Sequence, residues 1–343
     1  MQPREYWRKR SEEIEEQQHE KAEEYIERLK KEYERAIQSI QRDIEAFYER
    51  YAINNEISMA EARKLLSKSE LKNFRITLEE FIEKAKDNVD GRWTRELNNI
   101  YYRARISRLE ALLTQIRQEI EMLAGGMQEG TKNLLSTTYT DTYYRTLYEI
   151  QKGTGIGVSF ARVDKEALNK VLHTKWLGEN YSERIWRNRD KLVMELQTKL
   201  SQAFIRGDSV ERTSKVLAER MEVSFSNAVR IIRTESSFIV HQATWDSYKT
   251  SGVVEKYEYL ATLDDRTSEI CRSMDGRVFK LSEKEVGVNY PPLHPNCRST
   301  VVPYFNDDED VGKRIAKDEK KGVYYVPGNM TYREWYEKYV GGD

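Results

Sequence analysis

The chain has 343 residues, 34% of them charged and 38% hydrophobic, with 57 basic against 58 acidic side chains. That length predicts two domains, or one domain with an extension, and a formal charge of −1 excludes a global positive field drawing the molecule to DNA or anionic lipid. A mean hydropathy of −0.81 suits well-solvated helices with narrow apolar seams, and 22 tyrosines exclude a disordered chain. No stretch reaches the roughly 20 apolar residues of a membrane span, and residues 1–20 lack the apolar core of a secretory signal. Two cysteines cannot form a disulfide framework, so a reducing cytosol is the expected site of synthesis.

Between Pro3 and Pro291 there is no proline, so the intervening chain is free to be helical. Ile26, Leu29, Tyr33, Ile37, Ile40, Ile44, Phe47 and Tyr51 recur in steps of three and four, the seam of a coiled-coil-like helix from about residue 4 to 52. A short helix is expected near Ser58, and another from Thr77, where Thr77 and Glu80 have capping-box spacing. The series Leu97, Ile100, Ala104, Leu109, Leu112, Ile116, Ile120 and Leu123 predicts a second long helix stopped by Gly125 and Gly126, followed by a helix over 131–152. Gly153, Gly155 and Gly157 read as a hinge. Helices are then expected near 164–174, 182–206, 209–221 and 224–250, with Ser182, Ser209 and Ser224 as N-caps and Gly207 and Gly252 as stops. Three β-prone runs follow, at 254–260, 276–281 and 299–302, suggesting a small β element. The expected fold class is thus α+β and predominantly α-helical. Its divisions are an extended helical region (1–152), a glycine-rich hinge (153–160), a compact domain (161–305), and an acidic tail with a short helix (306–343).

The densest chemical signal lies in two loops, Leu263-Asp-Asp-Arg-Thr-Ser-Glu-Ile-Cys271 with Asp275-Gly276, and Tyr290-Pro-Pro-Leu-His-Pro-Asn-Cys-Arg298. Thiolates and imidazole suit tetrahedral Zn²⁺, which would cross-link loops too poor in apolar residues to order themselves. Cys271, His294 and Cys297 supply three ligands; Asp264, Asp265 or His241 could supply a fourth, and the alternative is two small buried cysteines beside a hydrogen-bonded histidine. His-x-Glu with Cys-x-x-Cys, the zinc deaminase pattern, is not found. In the helix over 224–250, Arg233 and Glu235 are expected to reach the loops through a fold-fixing salt bridge. Arg92, Arg95, Arg103, Arg105 and Arg108 stand with Arg117 among Trp93, Tyr101 and Tyr102. Such a face could contact a phosphate backbone or an acidic protein surface, or be an ordinary solvated face.

Trp176-Leu-Gly-Glu-Asn-Tyr-Ser-Glu-Arg-Ile-Trp186, Ile205-Arg-Gly-Asp-Ser209, Ile232-Arg-Thr-Glu235 and the two cysteine loops occur in that order. Together, over about residues 160 to 305, they resemble the phage minor head protein family, the Mu F-like head morphogenesis proteins of tailed bacteriophages and prophages. The resemblance implies a non-enzymatic protein of the phage head, found in the virion and, during assembly, in the host cytoplasm. It would bind the portal, and capsid or scaffold proteins or double-stranded DNA are further expected partners. The roles implied are head assembly, DNA packaging or genome delivery, with no membrane contact. Asp264, Arg266, Asp275, Gly276 and Arg298 then become motif residues that fix the loops. Family members often carry additional cysteines near the loops, where this chain has Ser268 and Ser299, which argues against a fully thiolate site. The competing reading is a metal-dependent hydrolase or nuclease built on the Cys/His/Asp loops, which would need spare carboxylates to activate water.

Overall fold

A computed structural model of the chain describes residues 2–52, 54, 56–84, 92–103, 105–160, 162–305, 313–318, 322–327 and 330–339. It is α+β and predominantly helical, with ten helices and a small antiparallel sheet among the described residues. The chain divides into two compact units built from interleaved segments: residues 1–26, 131–181 and 230–343 in the first, 27–130 and 182–229 in the second. The 153–157 stretch lies within the first unit, and the unit boundaries at 26/27, 130/131 and 229/230 fall inside helices.

In the second unit, helix α1 (Arg4–Tyr51) supplies its apolar seam from Leu29 onward. Leu29, Tyr33, Ile40, Ile44 and Phe47 are buried as the spacing requires, whereas Ile37 and Tyr51 are half-buried. The seam is consumed within the chain: Tyr33 stacks edge-on against Phe225 (5.2 Å), and Phe47 lies 5.4 Å from Phe204. Tyr48 closes the same face by donating its hydroxyl to the Asp208 carbonyl (2.7 Å). Each such buried side chain stabilises by about 1.5–3 kcal/mol, so this helix face needs no further partner for its packing.

Helix α2 (Met59–Ala62) starts where expected, with Ser58 as its N-cap. Helix α3 (Lys68–Lys84) corrects the expected start at Thr77. Its capping box is Ser67 and Glu70: the Ser67 N–H donates to Glu70 Oε2 (2.7 Å) and the Glu70 N–H to Ser67 Oγ (3.3 Å). Thr77 instead donates back to the Asn73 carbonyl, as a mid-helix threonine does.

The expected helix through Leu97–Leu123 is two helices, α4 (Arg92–Tyr101) and α5 (Arg108–Thr154). Ser107 and Glu110 cap α5, which then runs straight through Gly125 and Gly126. Two helical glycines cost about 1 kcal/mol each, less than the burial of Leu123, Ala124 and Met127 around them returns. The predicted hinge is also partly helical, because α5 includes Gly153. That glycine is required by contact, since a Cβ there would overlap the Trp7 ring.

Helix α6 (Lys165–Leu172) is capped by Asp164, and α7 (Tyr181–Arg206) begins one residue before Ser182. Ser182 is therefore no N-cap; its hydroxyl donates to Gln128. The two helices expected over 209–250 are one, α8 (Val210–Ser251). Ser224 is internal and buried, its oxygen paired with Tyr33 and Asn188, so its hydrogen bonding is satisfied without ending a helix. Gly207 and Gly252 do act as stops, at φ of +66° and +65°, where other residues are strained.

The three β runs form one antiparallel sheet in the first unit. The strands β1 (Lys256–Leu260), β2 (Val278–Lys280) and β3 (Thr300–Tyr304) lie in the order β2-β1-β3. Tyr257 faces Phe279 and Pro303 across the ladders, and Glu258 faces Val278 and Val302. Glu258, fully buried, accepts from Arg4 Nε (2.9 Å) and from Arg8 Nη2 (2.5 Å), both on the first turns of α1. The region after Phe305 is more than an acidic tail. A hairpin, β4 (Lys313–Asp318) with β5 (Gly322–Pro327), and helix α10 (Tyr332–Tyr339) bury Ala316, Val326 and Trp335 around Leu263. The acidic run Asp307–Asp310 lies outside the described residues.

Two glycines give opposite expected outcomes. Gly126→Ala has open space for its methyl and should stabilise by about 0.5–1 kcal/mol in chemical denaturation. Gly153→Ala should destabilise, because Trp7 must move to admit it. Glu258→Gln leaves buried Arg8 without its countercharge, and should cost about 3–5 kcal/mol in the same measurement.

Candidate metal centre

Strand β1 places the Tyr259 hydroxyl at the centre of the site, in a small core with Ala261, Met274, Leu293 and both cysteines. Helix α9 (Glu269–Met274) follows the first loop and is capped by Ser268, whose oxygen accepts from the Cys271 N–H. This cap sets Cys271 on the buried side of the turn. The second loop brings Cys297 and His294 back, with the Cys297 N–H donating to the His294 carbonyl (3.2 Å). Asn296 adopts a φ of 60°, and its N–H donates to Thr234 Oγ1 (3.1 Å), which pins the loop to α8.

The three predicted ligands converge. Cys271 Sγ lies 3.7 Å from Cys297 Sγ and 3.2 Å from His294 Nε2, and all three ligand atoms lie within 4.8 Å of one another. The Tyr259 hydroxyl donates to Cys271 Sγ at 3.2 Å. Both thiols are buried and His294 is half-buried, so the imidazole forms the solvent-facing side. His294 Nδ1 lies 2.8 Å from the Pro295 carbonyl. A carbonyl can only accept, so Nδ1 carries the proton and Nε2 presents its lone pair to the sulfurs. Ser268 Oγ donates to that lone pair at 2.7 Å. The thiol of Cys297, with Ser268, Ser299 and Tyr259 assisting, offers hydrogen bonds to Cys271 that outweigh its burial and hold it below the ordinary thiol range. Cys297, which supplies that proton and is itself buried, is pushed up.

None of the three residues considered for a fourth ligand, Asp264, Asp265 and His241, joins the cluster. Asp265 is exposed, and its backbone carbonyl accepts from Arg272. His241 is fully buried elsewhere on α8, its Nδ1 donating to the Ser237 carbonyl (2.6 Å) and its Nε2 3.8 Å from Glu15 Oε2. The motif carboxylates are spent on holding the loops. Asp264 receives both Arg298 Nη atoms (2.5 and 2.8 Å) and the Thr267 hydroxyl, and lies 3.9 Å from Arg266. Burial pushes the Asp264 carboxyl up, but the Arg298 guanidinium overcomes this and holds it below the usual carboxylate range. Asp275 accepts from the Ala261 N–H (2.8 Å), and the Gly276 N–H donates to the Tyr259 carbonyl.

The helix–loop contact expected of Arg233 and Glu235 is made by the residue between them, Thr234. Arg233 points the other way and forms a bidentate pair with Glu23 of α1 (2.6 and 2.7 Å), while Glu235 is buried. In the arginine-rich segment, Arg95, Arg103 and Arg105 are exposed. Arg108 instead pairs with Glu61 and lies over the Tyr51 ring at 4.0 Å, and Arg117 lies 3.6 Å from Glu121. The Arg92 side chain lies outside the described residues.

Residues 194–302, which span the second half of α7, all of α8, β1, β2, the start of β3 and both loops, match the family described as Phage Mu protein F like protein. The chain is 23% identical over 301 residues to Minor head protein GP7 of Bacillus phage SPP1, a match covering 82% of this chain and 94% of that protein. Through residues 194–302 the chain is thus similar to the Mu F-like phage minor head proteins. It is also 20% identical over 247 residues to NAD(+)–arginine ADP-ribosyltransferase EFV of Enterococcus faecalis, covering 68% of this chain but spanning only half the length of that relative. A protein of Haemophilus influenzae is 24% identical over 136 residues, 39% of this chain and 30% of its own. No solved structure matches the chain.

The Glu15–His241 pair has no local sequence signature and was not anticipated. Burial pushes the Glu15 carboxyl up from 4.5 to about 8 and the His241 imidazole down from 6.5 to about 4. A carboxyl so raised contributes stability that is complete below pH 4.5 and is lost as pH rises toward about 8. The depressed histidine contributes fully above pH 6.5 and loses that contribution as pH falls toward about 4. Between pH 6.5 and 8 only the Glu15 contribution of this pair changes. The Glu15 contribution should therefore lower the Tm across that window, and Glu15→Gln should remove that part of the pH dependence, as read by thermal denaturation of both proteins at stepped pH.

Proposed function

We propose that the chain is a minor head protein of a tailed bacteriophage or prophage, which binds the portal and acts in head assembly, DNA packaging or genome delivery. The observation that carries this reading is the match to Minor head protein GP7, which runs through nearly all of that protein. The Mu F-like segment supports it, because it contains both cysteine loops. Such a protein associates with other components of the phage head and resides in the virion. Among the described residues no helix is long and apolar enough to cross a membrane.

The reading makes no use of the activity in the ADP-ribosyltransferase's name, since half of that relative lies beyond the match. Nor do the loops favour a hydrolase: Asp264 is neutralised by Arg298, and Asp275 is engaged by the Ala261 backbone. The contact surface is better sought in the second unit. There a groove of about 330 Å³ is lined by Ile100, Leu113, Ile116 and Val193 together with Arg103 and Arg117. Apolar side chains with arginine among them suit a protein surface rather than a phosphate backbone.

Co-expression with the portal protein of the same phage or prophage, followed by size exclusion, tests the reading. Co-elution with the portal ring is expected; separate elution at micromolar concentrations of both proteins would overturn it.

A further inference from the structure

We propose that Cys271, Cys297 and His294 Nε2 bind one Zn²⁺ ion, with Ser268 Oγ at the fourth corner of the tetrahedron. The inference rests on the loop geometry alone and stands apart from the portal reading.

Zinc bonds of about 2.3 Å to sulfur and about 2.0–2.1 Å to nitrogen, at tetrahedral angles, place two sulfurs about 3.8 Å apart and a sulfur and a nitrogen about 3.5 Å apart. The cluster already has edges of 3.7 Å between the sulfurs and 3.2 Å between Cys271 Sγ and His294 Nε2. Along these two edges the ligands need to move only by tenths of an ångström, and the third edge is within 4.8 Å. Nitrogen orientation agrees. The Pro295 carbonyl holds the proton on Nδ1, leaving Nε2 free to coordinate, as an outer carbonyl does for metal-bound histidines.

Charge agrees as well. Two thiolates and a neutral imidazole cancel the charge of Zn²⁺, so the complete centre is neutral and tolerates the burial of both sulfurs. Soft sulfur donors with one imidazole select zinc over the hard cations magnesium and calcium. The Tyr259 hydroxyl already donates to Cys271 Sγ, the outer hydrogen bond expected of a metal-bound thiolate. Ion entry is open, because His294 and Ser268 form the half-exposed side of the cluster.

Ser268 distinguishes this site from a four-ligand one. Its oxygen lies 2.7 Å from His294 Nε2, and it precedes Cys271 by the three residues that put both side chains at one capped turn. A serine is a weak zinc ligand, so this corner is the place where the centre exchanges with water. Replacing it with cysteine should complete a Cys₃His site without altering the fold.

The full-length chain, expressed without added metal and purified under reducing conditions, should carry about one zinc per chain by elemental analysis. His294→Ala and Cys297→Ser should each lose it. Cobalt-loaded protein should show thiolate-to-cobalt charge transfer and intense tetrahedral d–d absorption, a signature that folding alone does not produce. Ser268→Cys should slow chelator extraction of zinc at least tenfold, and so gives a readout even if the loss variants fold poorly. Reduced protein that neither retains zinc nor takes it up from equimolar Zn²⁺ would overturn the site. Extraction from Ser268→Cys at the parent rate would overturn the assignment of its fourth corner.

Discussion

One buried carboxylate holds the first unit together. Glu258 sits in the central strand, wholly out of solvent, and two arginines from the opening turns of α1 converge on it. A charge in that position is tolerable only while its partners stay. The start of the chain is therefore tied to one position of one strand. Trp7 follows Arg4 by one turn, and its place in the core with Ile150, Tyr248 and Tyr290 depends on that tie. On the same strand Tyr259, the next residue, directs its hydroxyl at Cys271, so the constraint reaches the cysteine loops through a single peptide unit.

Where local pattern and tertiary packing demand the same thing, the sequence is readable. The seam of α1, the helix starts near Ser58 and Asp164, the stops at Gly207 and Gly252 and all three strands of the sheet are of this kind. It misleads where a weak local preference is outbid. Thr77-Glu80 and Ser67-Glu70 have the same capping spacing, and the choice falls to the pair that lets both Phe74 and Leu78 face one core. Gly125 and Gly126 look like a stop, but the apolar residues on either side are worth more buried in one helix. The strand Lys313–Asp318 reads as a charged tail, and only its contact with Leu263 at Ala316 reveals its role.

The site divides along the same line. Cysteine and histidine are scarce in this chain, so their gathering in two loops was visible, and the structure brings Cys271, His294 and Cys297 together. Hydrogen-bonding partners were not visible. Thr234 rather than Arg233 anchors the second loop, because a short hydroxyl can approach a backbone N–H where a long guanidinium reaches past it to Glu23. Ser268 was noted only as a missing cysteine, yet it caps α9 and donates to the imidazole at once.

The interleaving of the units bears on how the chain is made. The segment 1–26 leaves the ribosome first, yet the core it joins is completed by residues 230–343. Arg8 and Trp7 must therefore wait, solvated or guarded, until the strand bearing Glu258 has emerged about 250 residues later. Contacts this distant along the chain slow folding. For this protein, then, the first unit can close only once β1 has emerged, and a chain cut short before β1 would lack the carboxylate on which Arg4 and Arg8 converge.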